Sequence, residues 1–227
     1  MGRVQRNIRS RRHTAFQNHK QIGKINFSQQ QADRRHDNVF DQRVDNLAEG
    51  GTDNNTDKVY LFETKWKDNS KIVPGSSTDK NPNVGIAKGS DDAYVFIYVK
   101  NAMVKDDTAA ENTPYFALND NWKPVDGQVT SSVEGQYLSG LFMYAKGATD
   151  GKPVALPAKS ATEDVYTGEL FSKVVFPGTL EGSMVATNPT MKVSAYIFGA
   201  DQTDGNTSAA DNAVTQAKTW ANTIKNQ

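Results

Sequence analysis

The chain has 227 residues, of which 37% are hydrophobic and 23% charged; it has no cysteine, which excludes disulfides and thiolate metal sites. Its formal net charge of zero hides a division, because Met1 to His36 carries nine Lys or Arg against one acid and Asp37 to Gln227 carries 17 against 25. All eight arginines lie at or before Arg43 and all three histidines at or before His36, so the head and the body are different kinds of sequence.

The head, MGRVQRNIRSRRHTAFQNHKQIGKINFSQQQADRRH, scatters its apolar residues (Val4, Ile8, Phe16, Ile22, Ile25, Phe27) without a sustained strand or helix period. A segment this charged, with so little to bury, does not offset its ordering entropy, so residues 1–50 are expected to form a disordered basic head. Arg and Lys would suit a nucleic-acid arm, but the body adds no basic face. A solvated tail, or a segment absent from the mature protein, is the better reading, and no nucleic-acid partner is expected. No apolar run is long enough to span a membrane, and no apolar signal run follows Met1.

Residues 51–227 read as one strand-rich domain. Val59-Tyr60-Leu61-Phe62 is a short apolar run. Ala93 to Val99 is the strongest strand, with Ala93, Val95, Ile97 and Val99 on one face and Tyr94, Phe96 and Tyr98 on the other. Both faces are apolar, so it is expected to lie inside a sheet and be covered on both sides. Replacing Ile97 with Ala there should cost about 2–5 kcal/mol. Tyr137–Ala145, Lys173–Phe176 and Lys192–Phe198 read similarly. Between them stand turn clusters at Pro74-Gly75, Asn119-Asp120-Asn121, Asp126-Gly127, Asp150-Gly151, Pro177-Gly178 and Asn188-Pro189. No crossover helix follows any strand, so an antiparallel sandwich is expected. One helix is expected over about 208–225, N-capped by Ser208 or Thr207. Its apolar stripe is Ala210, Ala213, Val214, Ala217, Trp220, Ala221 and Ile224, with Trp220 anchoring it on the sheet.

The body nominates no reaction centre. Without a His after position 36 and without Cys, neither a zinc site nor a Ser-His-Asp or Cys-His arrangement can form there. The acids stand mostly in turns and single out no glycosidase pair. The loop Asp201-Gln202-Thr203-Asp204-Gly205-Asn206 looks oxygen-rich, yet Gly205 falls where a calcium ligand belongs and Asn212 where the bidentate Glu belongs. Gly147, Gly151 and Gly168 are too scattered for a phosphate loop. No catalytic, metal or cofactor-binding residue is therefore assigned, and no cofactor is expected.

The order of several segments carries a resemblance. Lys71-Ile72-Val73-Pro74-Gly75, then Asp79-Lys80-Asn81-Pro82, then Ala93-Tyr94-Val95-Phe96-Ile97 resembles the TasA/camelysin-like proteins of Gram-positive bacteria, which are substrates of the SipW signal peptidase. Asn121-Trp122-Lys123-Pro124-Val125-Asp126-Gly127 resembles the family's "W…DG" turn. Val193-Ser194-Ala195-Tyr196-Ile197 and the Ala/Trp-rich ending resemble its late strand and closing segment. The resemblance covers about residues 57–227. It implies an all-β, jelly-roll-like antiparallel sandwich with a C-terminal helix, exported to the cell surface and building biofilm-matrix fibres with copies of itself or a related matrix protein. The metalloendopeptidase activity described for camelysin does not carry over, because the body has no His to hold zinc. The head departs from the family: Asp37-Asn38-Val39-Phe40 only faintly echoes its first strand, so residues 1–50 are expected to stem from a misplaced start or shifted frame. A non-enzymatic structural subunit is the expected function. A surface module for glycan or a host protein, with a groove at Trp66, Trp122 or Tyr115, is the alternative, and an enzyme is the third.

Overall fold

Gly, Pro and Asx residues cut the body into short extended runs. The computed structural model describes residues 24–26, 59–65, 72–104, 112–180, 191–203 and 206–225. In chain order the described elements are β1 (Lys24–Asn26), β2 (Val59–Phe62), β3 (Ser77–Asp79), β4 (Asn83–Ile86), β5 (Ala93–Asn101), β6 (Trp122–Val133), β7 (Gln136–Tyr144), β8 (Val165–Tyr166), β9 (Lys173–Val175), β10 (Met191–Gly199) and α1 (Ala209–Lys225).

The strands form a five-stranded sheet in the order β1-β10-β5-β7-β6, a three-stranded sheet β2-β4-β8 and a two-stranded sheet β3-β9. Every pairing is antiparallel. The architecture is thus all-β and antiparallel with one C-terminal helix. β5 is central in the large sheet: Ile97 stands opposite Ala195 of β10 on one side and Phe142 of β7 on the other.

Alternation along β5 assigns the two cores. Val95, Ile97 and Val99, with Phe142, Tyr144, Ala195 and Ile197, pack against Val59 and Leu61 of β2, Val84 and Ile86 of β4 and Val174 of β9. Phe96 and Tyr98, with Leu141, Met143, Tyr196 and Phe198, pack on the opposite face against Ala213, Ala217, Trp220, Ala221 and Ile224 of α1. One sheet therefore has small sheets on one face and a helix on the other, which is why β5, β7 and β10 carry apolar residues at successive positions.

α1 starts where the sequence supplies a cap. The Asp211 N–H donates to Ser208 Oγ at 3.2 Å, and Ser208 Oγ donates to the Asp211 carboxylate at 2.7 Å. At its far end Lys100 of β5 donates to the Lys225 carbonyl at 2.9 Å, which satisfies one of the orphan carbonyls of the last turn.

Two expectations differ from what is observed. Asp126-Gly127, read as a turn, lies inside β6, where the register against β7 shifts between Pro124 and Val129. Gly127 takes a φ of 69°, so turn chemistry here makes a bulge within a strand. Gly140 of β7 faces this irregularity at φ 130°; a Cβ there would stand 2.5 Å from the Gln128 carbonyl oxygen, so only glycine fits. Within the head, Lys24–Asn26 form β1 on the edge of β10. The rest of the expected disordered segment, residues 1–50, lies outside the described residues.

Candidate functional site

The large sheet has two edges of opposite character. At β10 the outer edge pairs with β1 in the register Lys24↔Tyr196, Ile25↔Ala195 and Asn26↔Ser194, three positions of a nine-residue strand. At the other edge stands β6, whose Pro124 has no N–H to offer and whose ladder is broken by bulges. Its Asp126, Ser131 and Ser132 are exposed, as is Glu134 just after it, and charges and bulges of this kind keep an edge from pairing with another chain. The outer side of β10 thus carries the short strand β1 at three of its nine positions, whereas no strand among the described residues pairs with the outer side of β6.

The residues singled out from sequence fall at the centre of the molecule. Ala93, Val95, Phe96, Ile97, Tyr98 and Val99 are buried and Tyr94 is half-buried. Trp220 is buried and stacks on Tyr196 with centroids 5.2 Å apart. Of the three aromatics considered for a groove, Trp122 is buried and donates from Nε1 to the Gly168 carbonyl at 3.2 Å. Tyr115 is half-buried and bridges through its backbone to Val175, and Trp66 lies outside the described residues. Asp204 and Gly205 of the oxygen-rich loop also lie outside. Among the described residues no group of three or more His, Cys, Asp or Glu could hold a metal ion.

Two clusters were not legible in the sequence. The first is a polar clasp at the ends of β2, β3 and β8. Lys80 Nζ meets Glu63 Oε2 at 2.7 Å with side-chain exposures of 5% and 13%, an ion pair almost withdrawn from water. Beside it Asn81 Oδ1 accepts from the Lys65 N–H at 2.8 Å, and Asn81 Nδ2 donates to Thr64 Oγ1 and to Glu169 Oε1. Glu169 also takes the Lys65 ammonium at 2.7 Å and the Ser172 hydroxyl at 2.9 Å. Partial burial pushes the Glu169 carboxyl up, but the hydrogen bonds from Lys65, Ser172 and Asn81 and the Lys65 charge outweigh it, and the net shift is downward.

The second cluster lies on the outer face of the three-stranded sheet. Tyr60, Gly85 and Tyr166 stand in one cross-strand row on β2, β4 and β8. Without a Cβ on Gly85 the two tyrosine rings close over the middle strand, with centroids 6.1 Å apart, and Phe62 packs edge-on to Tyr166 at 5.9 Å. The Tyr60 hydroxyl donates to Asp164 Oδ2 at 2.6 Å and lies 3.3 Å from the Tyr166 hydroxyl. Burial and the Asp164 carboxylate push the Tyr60 phenol well above its ordinary range. Only the Val59–Phe62 run signalled any of this, because the partners are about a hundred residues apart along the chain.

Comparison with protein-family models, with curated proteins and with solved structures found no match to this chain.

Proposed function

We propose that this protein is a secreted or cell-surface structural subunit of the TasA/camelysin-like kind, a jelly-roll sandwich that joins its neighbours into matrix fibres by strand addition. The observation that carries this reading is the outer edge of β10, where a three-residue extended segment from far upstream joins the sheet. Main-chain hydrogen bonds of this kind need little from the sequence of the added strand, while the pockets beside alternate residues select it. β10 runs for nine residues and β1 pairs with three, so a longer strand from another copy, or from a related matrix protein, would pair with more of the edge. With β6 blunted, the contact joins two different surfaces and does not close on itself, which is the geometry of a filament. No nucleic-acid partner enters this reading, since the body, with 17 basic residues against 25 acidic ones, adds no basic face; no cofactor is assigned in it.

The test compares residues 50–227 alone with the same chain carrying an added apolar N-terminal strand. Static light scattering and negative-stain microscopy should find monomers for the first and growing filaments for the second. A second species that stays at monomer size, with the body folded, overturns strand addition.

A further inference from the structure

We propose that Tyr60 and Tyr166 are a built-in cross-linking pair, which a one-electron oxidant joins into an intramolecular dityrosine that ties β2 to β8 across β4. Dityrosine forms between ring carbons ortho to the phenol oxygen, which are the Cε atoms. A Cβ placed on Gly85 would stand 2.9 Å from Tyr166 Cε1 and closer still to Tyr60 Cε2, so these two carbons lie within twice that span of each other. Both lie over the glycine, and the two hydroxyls already lie 3.3 Å apart. Of the eight tyrosines, all within the described residues, Tyr166 alone is exposed, at 50%, so an oxidant in solution meets it first. Tyr60 is half-buried and has a proton acceptor in place, because its hydroxyl donates to the Asp164 carboxylate at 2.6 Å. Asp164 is itself fixed by accepting the Lys88 N–H at its other oxygen, 3.0 Å away. Holding the reacting groups side by side replaces a second-order encounter with a local one, which favours coupling within the chain over coupling between chains.

The chemistry balances. Each phenol loses one electron and one proton, the Tyr60 proton passing to Asp164 and the Tyr166 proton to solvent. The two phenoxyl radicals combine through Tyr60 Cε2 and Tyr166 Cε1, and the hydrogens on those carbons move to the phenol oxygens as the rings regain aromaticity. Two hydrogen atoms leave in all. With hydrogen peroxide and a haem peroxidase as the oxidant, one peroxide takes them up and becomes two waters. The product is a covalent strap across a sheet whose outer strands are four and two residues long. This inference is independent of strand addition.

The experiment treats the dilute full-length protein with peroxide and a haem peroxidase, then digests it with trypsin. Cleavage after lysine places the two residues in separate peptides, Val59–Lys65 and Ser160–Lys173, each with one tyrosine. The expected result is a monomer lighter by two hydrogens, with dityrosine fluorescence and those two peptides joined. Tyr166→Phe removes only an exposed hydroxyl, keeps the fold by circular dichroism, and should lose the joined pair, as should Tyr60→Phe. Asp164→Asn should slow formation of the pair several-fold while leaving coupling of free tyrosine by the same peroxidase unchanged. Oxidised, folded wild type in which the two peptides stay separate, or in which Tyr166 is joined only to other molecules, overturns the proposal.

Discussion

Tyr196 carries a hydroxyl that nothing among the described residues answers. Its ring is buried between β10 and α1, stacked on Trp220 and tilted against Phe96, within the apolar cluster that joins the sheet to the helix. A buried hydroxyl without a partner costs about 1–3 kcal/mol, whereas deleting the ring would open a cavity costing about 3–5 kcal/mol. Tyr196→Phe should therefore leave stability unchanged or raise it at neutral pH, and Tyr196→Ala should lower it severely, as read by urea unfolding. The same burial pushes the Tyr196 phenol up to about 12. A raised pKa means that the unfolded chain ionises first, near the ordinary value of 10.0. The contribution is fully present below that value and is lost as pH rises through about 12. Between those values wild type should lose stability faster than Tyr196→Phe; parallel curves would mean the phenol is already exposed.

At the scale of elements, α1 rests on the sheet through Ala213, Ala217 and Ala221, which allow close approach, and through Trp220, its largest buried side chain. Trp220→Ala should cost about 3–5 kcal/mol in denaturant unfolding, in one transition with the sheet. Separate loss of helical signal before the sheet melts would mean that α1 is a dispensable cover. Helix and anchor were legible because a Ser208 cap, an Asp211 in the first turn and an apolar stripe at helical spacing all point the same way. β5, β7 and β10 were legible for a related reason, since a strand buried on both faces writes an unbroken apolar run. β6 was not. As a bulged edge strand it holds Pro124, Asp126 and Gly127, and locally these are indistinguishable from a turn. β8 is two residues long and β4 carries Gly85, so neither has a period to read. Their cross-strand row depends on register, which is fixed only when distant strands meet.

Across the whole molecule, the polar clasp is where chain segments far apart in sequence are held together by charge. It joins the residues after β2 (Glu63, Thr64, Lys65), the link between β3 and β4 (Lys80, Asn81) and the link between β8 and β9 (Glu169, Ser172). Asn119 adds the approach to β6 by donating to the Glu169 carbonyl at 3.0 Å. The apolar layers alone would let the small sheets slide on the large one, because burial is not directional, whereas these bonds fix one arrangement. Glu169 is the member with a readable titration. Its carboxyl is held below its ordinary value of 4.5, so it contributes stability above that value and loses the contribution as pH falls through its folded-state pKa. Glu169→Gln keeps the shape and removes the charge. Near neutral pH it should be less stable than wild type by about 1 kcal/mol, a modest figure because Lys65 is half exposed and solvent screens the pair. As pH falls below 4.5 the two proteins should converge, since protonated Glu169 resembles the amide. A gap that stays constant down to acid unfolding would place the effect of the substitution in packing and remove charge from the account of how the sheets are clasped.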